Sequence, residues 1–149
     1  MKPTKYAILV GVCLVSNCVI AVAGNYARTI VVQKLGTNNY KVTCRLIYPR
    51  TNPSDTYLVD LWGGGTSMPG QYPYGGYVGP DAPNLHLEDP SWPWVFDAVL
   101  GPTSLTISRI YYYRLPPGPG EIVYCQGGSR DETTGTNLGT VNITSDLSN

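Results

Sequence analysis

Residues 40–48 read Tyr-Lys-Val-Thr-Cys-Arg-Leu-Ile-Tyr, in which apolar and polar side chains alternate almost throughout. Successive side chains of a strand point to opposite faces, so Tyr40 and Cys44 would share an apolar face and Lys41 would lie on the other. This period of two predicts a half-buried strand. The sulfur of Cys44 would then point into the core, within reach of a partner on a facing sheet.

Similar segments recur along the chain. Residues 29–34 lead into the polar turn 36–39, whose length suits a hairpin with residues 40–48. Further strand candidates, rich in β-branched or aromatic residues, are residues 56–62, 94–100, 105–114, 121–125 and 139–144. Residues 115–120 contain three prolines and should form a hairpin turn, and residues 127–137 should form a polar loop.

The chain has little potential for helix. No stretch of eleven residues after Ala23 shows an apolar stripe of helical period, and 17 glycines and 13 prolines disfavour long helices. About seven short strands without helical spacers predict an all-β fold, a two-layer antiparallel β-sandwich, with a small barrel as second choice. The spacing of Cys44, Trp62 and Cys125 differs from that of an immunoglobulin domain, and Tyr124 directly precedes Cys125, so no particular family is assigned.

The composition excludes some classes of protein. The formal net charge is zero and 13% of the 149 residues are charged, which provides no cationic footprint for nucleic acid or anionic lipid. The chain is 42% hydrophobic and contains 12 Tyr and 3 Trp, unlike a polar disordered tail. We therefore expect a folded domain without a nucleic-acid partner.

The N-terminal segment has the features of a secretory leader. Lys2 and Lys5 precede an apolar run, and the segment ends at Ala23 with small residues at the positions that a signal peptidase reads. Residues 1–23 are therefore predicted to be a signal peptide, and residues 24–149 a single domain that is secreted to an extracellular or periplasmic space, away from the membrane. An uncleaved membrane anchor is the alternative, because the apolar stretch approaches the length of a bilayer span.

Cleavage after Ala23 would leave two cysteines, Cys44 and Cys125. An even pair in an oxidising compartment predicts one disulfide. Closing a loop of about 80 residues would stabilise the fold by roughly 4.5 kcal/mol in the chain-entropy treatment, before any native strain is counted. Two free buried thiols are the alternative. A metal site is poorly supported, because there is no CxxC motif and His86 is the only histidine.

Residues 62–93 are predicted to form a long loop rich in Gly, Pro and aromatic residues. Seven glycines and six prolines fall in this segment, and a structureless stretch of this length is usually a binding loop or a linker. A linker would not carry large aromatic residues, so we assign ligand binding to the rings of this segment and its border: Trp62, Tyr72, Tyr74, Tyr77, Trp92 and Trp94. The alternative is that these rings cover one end of the core.

Candidates for catalysis are few. His86 has Glu88 and Asp89 close in sequence, and Ser67 and Ser91 fall in the same loop, but no nucleophile elbow, HExxH, P-loop or dinucleotide fingerprint is present. We therefore assign no catalytic residue, cofactor or metal, and expect that the protein is not an enzyme.

Three further groups of acidic or amide side chains suggest specific kinds of site. Asp60 and Asp97 fall within strand candidates and should face solvent, which disfavours a glycosidase pair. Asp81, Glu88 and Asp89 could supply oxygen ligands to calcium but lack the spacing of a calcium loop. Asn142 begins an Asn-Ile-Thr triplet and should point outward from its strand, so it is a candidate for N-glycosylation.

Two functional hypotheses follow. The first is a secreted, non-enzymatic recognition module that binds a glycan or protein partner through its aromatic loop. A secreted inhibitor or effector would use the same loop. The alternative is a structural subunit of an extracellular filament or coat, assembled by self-association through an edge strand such as residues 27–34.

Overall fold

The computed structural model describes residues 17–23, 26–50, 52–67, 74–89, 93–114 and 120–147. These ranges contain strands and no helix. The ten strands are β1 Asn17–Ala23, β2 Tyr26–Gly36, β3 Asn39–Pro49, β4 Tyr57–Gly65, β5 Tyr74–Val78, β6 Asn84–Asp89, β7 Trp94–Leu100, β8 Ser104–Tyr113, β9 Ile122–Asp131 and β10 Thr136–Asp146.

The strands form two antiparallel sheets. Sheet A has the order β1-β2-β3-β8-β7-β6, and sheet B has the order β10-β9-β4-β5. Alternating side chains of both sheets meet in one core, as in the burial pattern of β8, where every second residue is buried. The predicted two-layer antiparallel β-sandwich is therefore confirmed, and the barrel is not formed.

Eight of the ten strands follow an order that resembles that of an immunoglobulin-type sandwich, and β1 and β6 are additional strands at the two edges of sheet A. With β2, β3, β8 and β7 lettered A, B, E and D, sheet A contains the order A-B-E-D, and sheet B reads G-F-C-C′. Cys44 on β3 and Cys125 on β9 then join strands B and F, with Cα atoms 6.4 Å apart. Five strands, β4 to β8, lie between the two cysteines in the chain.

Two segments predicted as loops were assigned wrongly. The segment 62–93 contains β5 and β6, and residues 127–137 contain the ends of β9 and β10 around a short turn. Glycine has a low intrinsic strand propensity, so Gly75 and Gly76 gave no strand signal, yet both are paired with β4. Leu85 and Leu87 of β6 do alternate with polar residues and pack against the core.

The first strand coincides with the end of the predicted leader. Residues Asn17–Ala23 form β1 at the edge of sheet A and pair with β2 from Asn17 opposite Val32 to Ala23 opposite Tyr26. Residues 1–16 lie outside the described part of the chain. Removal of the leader stays a prediction, but it would take away the outer neighbour of β2.

The centre of the core depends on a glycine of β4. A Cβ atom at Gly63 would overlap the ring of Tyr111, which crosses from β8 towards sheet B. The Tyr111 hydroxyl donates its proton to carbonyl oxygens of sheet B, with Gly64 at 2.7 Å and Tyr124 at 2.8 Å. Burial raises the pKa of Tyr111 far above its ordinary value, so the hydroxyl keeps this proton.

We expect Gly63→Ala to lower the free energy of unfolding by about 1–3 kcal/mol, because its methyl group must displace the buried Tyr111 ring. Gly36→Ala is the matched control, since a Cβ atom there meets nothing within 4 Å. Urea denaturation of both variants measures the difference. Equal losses would contradict this account of the core.

Candidate functional site

The structure separates the residues predicted to bind a ligand. Trp62 lies on the outer face of sheet B and is half-buried, and Tyr77 on β5 is 60% exposed. Tyr72 and Trp92 lie outside the described residues. Tyr74 contributes its backbone to β5, and its side chain is likewise outside the described part.

Trp94 belongs to the core and not to an exposed surface. Its side chain is 3% exposed, and the guanidinium carbon of the fully buried Arg109 lies 5.1 Å from its ring centre. Arg109 also donates from Nη1 to the carbonyl oxygen of Leu61 at 3.1 Å. A cation over an aromatic face is favoured in a desolvated place, so Trp94 helps to hold Arg109 inside the sandwich. The assignment of Trp94 to a binding surface is therefore corrected.

The outer face of sheet B brings together aromatic, aliphatic and polar side chains from three strands. We call this surface the aromatic face. Its members, which all point away from the core, are Leu58, Asp60 and Trp62 of β4, Tyr77 of β5, and Tyr124, Gln126 and Arg130 of β9.

One end of the aromatic face is a row of three large side chains. Leu58 pairs with Tyr77 on one side and with Arg130 on the other. Leu58 is 37% exposed, and directly opposite residues of an antiparallel pair have Cβ atoms about 5 Å apart. Arg130 also approaches Glu132, with 3.6 Å between Nε and Oε1. The row thus presents an apolar centre beside a cation.

The other end of the aromatic face is an edge-to-face pair of rings. Trp62 and Tyr124 have ring centres 6.3 Å apart and an interplanar angle of 89°. This geometry suits the quadrupoles of aromatic rings and fixes both orientations. Because Trp62 and Leu58 are four residues apart on β4, the two ends of the face are separated by about 13 Å.

The middle of the aromatic face, between its two ends, is a low floor without large side chains. Gly75 and Gly128 flank Asp60 on the neighbouring strands. The Asp60 carboxylate accepts a hydrogen bond from the Gly128 amide at 2.9 Å, so it is held against the sheet. These glycines are required by the packing of the backbone, since a Cβ atom at Gly75 would overlap the carbonyl oxygen of Val59. The face is therefore flat in its middle.

Asn142 lies at the border of the aromatic face. It is exposed on β10, while Val141 and Ile143 are buried, so the predicted outward direction is confirmed. Asn142 pairs with Gln126, whose other neighbour is Trp62. Glycosylation of Asn142 stays a prediction, and a glycan there would flank the ring of Trp62.

His86 lies on the outer face of sheet A among carboxylates. Its Nδ1 is 2.5 Å from an Asp97 oxygen, and its Nε2 is 3.1 Å from a Glu88 oxygen. The hydrogen bond that His86 donates to Asp97, and then the one that it donates to Glu88, raise the pKa of His86 above its ordinary 6.5. Neither predicted serine joins this group, because Ser67 hydrogen-bonds to Glu121 at 2.9 Å and Ser91 is outside the described residues.

Asp60 and Asp97 do not form a carboxylate pair, because they lie on the outer faces of different sheets. Within the described ranges there is no group of three or more His, Cys, Asp or Glu side chains that could hold a metal ion. The same ranges contain no helix of sufficient length and hydropathy to cross a bilayer.

Glu121 is a buried carboxylate at the end of the sandwich. The Tyr113 hydroxyl donates to it, and the Ser67 hydroxyl and amide do so as well. These hydrogen bonds, that of Tyr113 above all, lower the pKa of Glu121 against the opposing effect of burial. The three groups tie the end of β8 to the segment after β4.

Two buried carboxyl groups meet at the opposite part of the fold. Asp55 is buried, and the neighbouring carboxyl group of Asp131, followed by burial, raises the pKa of Asp55. Burial alone would raise the pKa of Asp131, but hydrogen bonds from Asp55 and from the Thr134 and Thr133 amides hold it below its ordinary value. Asp55 therefore keeps its proton to a higher pH than Asp131, and the two threonine amides fasten Asp131 to the turn after β9.

A groove of about 280 Å³ lies on the outer face of sheet A. Its lining side chains come from β2 and β3: Thr29, Val31, Gln33, Lys41, Thr43 and Arg45. All of them are at least partly exposed, so no buried polar group is directed into the groove. The aromatic face, with its exposed anchor residues, is the stronger candidate for a site.

Comparison of the chain with protein-family models, with curated proteins and with solved structures finds no match.

We expect Asp97→Asn to lower the pKa of His86 towards 6.5, because it removes the closest carboxylate. An NMR titration measures this directly, since the chain has a single histidine. The folded pKa lies above the ordinary one, so this pair stabilises the fold fully below pH 6.5 and progressively less as the pH rises through the folded pKa. A larger fall in Glu88→Gln than in Asp97→Asn would contradict the order of the two contacts.

We expect Asp55→Asn to change the free energy of unfolding more favourably at pH 7 than at pH 4, each time relative to the parent protein. The raised pKa of Asp55 means that its contribution is complete below the ordinary 3.8 and is lost as the pH rises through the folded pKa, whereas an amide donates to Asp131 at every pH. Thermal denaturation at both pH values tests this, with Asp81→Asn in an exposed turn as the control. A gain in stability that is the same at both pH values would contradict a raised pKa of Asp55.

Proposed function

We propose that this protein is a secreted, non-enzymatic recognition module and that the aromatic face binds its partner. The observation that carries the proposal is the exposed row of Tyr77, Leu58 and Arg130 on a rigid sheet. Tyr and Arg are the residue types that most often dominate the energy of protein interfaces. An exposed Leu between them supplies apolar area that water solvates poorly.

The strands that carry this row reduce the conformational entropy that is lost when a partner binds. Leu58 and Arg130 lie on adjacent central strands, and the ladder between β4 and β9 extends from Tyr57 to Gly65. The Cys44–Cys125 bridge lies directly beneath β9. Side chains on such strands lose little backbone freedom when a partner binds, so more of the contact energy contributes to affinity.

The shape of the aromatic face favours a protein partner over a glycan. Its floor at Gly75 and Gly128 is flat, and the Asp60 carboxylate is already held by the Gly128 amide. A sugar is best held in a concave site with several convergent polar groups, whereas a flat apolar centre with a polar rim is typical of a protein interface. A glycan stacked on Tyr77 is the other outcome that the experiment below can detect.

Secretion and the absence of catalysis are parts of the same proposal. The disulfide between Cys44 and Cys125 is compatible with an extracellular location, where such bonds persist. The titratable groups of His86, Glu121 and Asp55 are each engaged by neighbouring side chains of the fold. These contacts stabilise the fold, so the three groups give no support to a catalytic role.

We expect Tyr77→Ala to lower affinity for the partner at least tenfold while the melting temperature changes little, because the ring is largely exposed. Val99→Ala is the matched control, since Val99 is 48% exposed on the outer face of sheet A. The biotinylated secreted protein and both variants are applied to an array of immobilised glycans and to an array of extracellular protein domains.

Binding by the parent protein that is lost in Tyr77→Ala and retained in Val99→Ala supports the proposal, and the array that responds identifies the class of partner. Equal binding by the parent and Tyr77→Ala would refute the role of the aromatic face. A large fall in the melting temperature of Tyr77→Ala would show instead that the ring supports the fold.

A further inference from the structure

The edge of β2 has an occupant that the predicted processing removes. In the full chain, seven residues of β1 pair with β2, and β1 also packs against β10 of the other sheet. All of these residues, Asn17–Ala23, precede the predicted cleavage point. Loss of β1 would leave the backbone amides and carbonyls on that side of β2 without partners, and an open strand edge readily accepts another strand.

We propose that, after removal of residues 1–23, the vacated edge of β2 is a docking site for β2 of a second copy of this chain, paired antiparallel about a twofold axis. This inference is independent of the recognition function of the aromatic face. It replaces the broader hypothesis of a filament with a closed dimer. A twofold contact uses the β2 edge of both copies, so no β2 edge remains to which a third copy could add.

The central part of β2 carries few of the features that protect strand edges, since Lys34 and the bulge lie near its end. Between Ala27 and Gln33 the only charged residue is Arg28, and no proline is present. The opposite edge of sheet A is different, since the six residues of β6 include His86, Glu88 and Asp89. Charged residues on an edge discourage pairing with another chain. The edge of β6 is therefore better protected against such pairing than the edge of β2. A covered edge in the precursor needs no such protection.

One register suits the pairing of two β2 strands. With Ile30 opposite Ile30 of the second copy, Thr29 falls opposite Val31, and β-branched residues pair well across strands. Arg28 then falls opposite Val32. Registers that place Arg28 opposite itself, or opposite Lys34, bring two cations together and are unfavourable. The Ile30-centred register is therefore the one that we expect.

The ladder also assigns which amides face the open edge. Ala23 and Tyr26 are opposite each other across a two-residue connection, and such pairs are hydrogen-bonded in a hairpin. Hydrogen-bonded pairs alternate along an antiparallel ladder, so the amides of Arg28 and Ile30 point towards β1. Arg28 is half-buried at the margin of the core, whereas Ile30 is fully buried, which makes position 28 the better place for a substitution.

The test uses the full chain expressed in an exporting host. Mass spectrometry of the secreted product identifies its first residue, and light scattering after size exclusion gives its mass over a range of concentrations. Arg28→Pro removes the amide that faces the edge, and Arg28→Ala keeps it as the matched control. We expect a product that begins at Gly24 with twice the mass of one chain, retained in Arg28→Ala. Arg28→Pro should weaken association about tenfold or more, because the twofold axis doubles the loss of one hydrogen bond.

Amide exchange gives a second measurement if Arg28→Pro fails to fold. In the parent product, exchange at Arg28 and Ile30 should slow as the concentration rises, because pairing protects these amides. A monomer at every concentration, a product that retains residues 17–23, larger polymers, or equal association of the proline and alanine variants would each overturn the proposal. Tyr77→Ala should dimerise like the parent, so this test is distinct from that of the aromatic face.

Discussion

The close contact between β8 and β4 is the constraint on which the rest of the structure depends. Tyr111 reaches from sheet A to the carbonyl groups of sheet B, and it can do so only because Gly63 presents no side chain. Tyr113 makes the same approach over Gly65, where a Cβ atom would overlap its ring. Large rings on one sheet and glycines on the other thus interdigitate, as close packing of an interior requires.

This constraint also shapes the surface on the other side of β4. Side chains alternate along a strand, so a segment that must place Gly63 inward places Trp62 outward. The hydroxyl of Tyr111 contacts the carbonyl of Tyr124, and the ring of Tyr124 stands against Trp62 on the outside. Because both partners of this outer pair are fixed from within, the aromatic face is preorganised by the core beneath it.

Most of the layered architecture follows from patterns that are local in the sequence. The alternation in residues 40–48 is found again as β3, Asn39–Pro49, and residues 94–100 coincide with β7. The burial of Trp94 also has a local signal, since it is in phase with Phe96 and out of phase with Asp97. The preceding residues 62–93 are rich in Gly, Pro and aromatic residues, and this composition suggests a binding loop that extends to Trp94. The assignment of Trp94 to a binding surface is wrong for this reason.

The aromatic face has no comparable local signal. Leu58, Tyr77 and Arg130 are distant in sequence and become neighbours only through the pairing of β5 with β4 and of β4 with β9. Tyr77 was predicted because it is aromatic, whereas Leu58 and Arg130 belong to no motif. Outward positions on different strands are selected by register, and register depends on contacts across the whole sheet.

Dimerisation through β2 and binding through the aromatic face are compatible in geometry. Two β2 strands paired about an axis perpendicular to sheet A extend that sheet, so sheet B of each copy lies on the same side of the extended sheet. The aromatic face is the outer surface of sheet B, and both copies therefore present it in the same direction. Such a dimer would bind a partner that displays repeated epitopes with both of its aromatic faces. The second binding event is then intramolecular, and avidity rises without any new contact. An edge that leader removal uncovers would in this way couple export to multivalent binding.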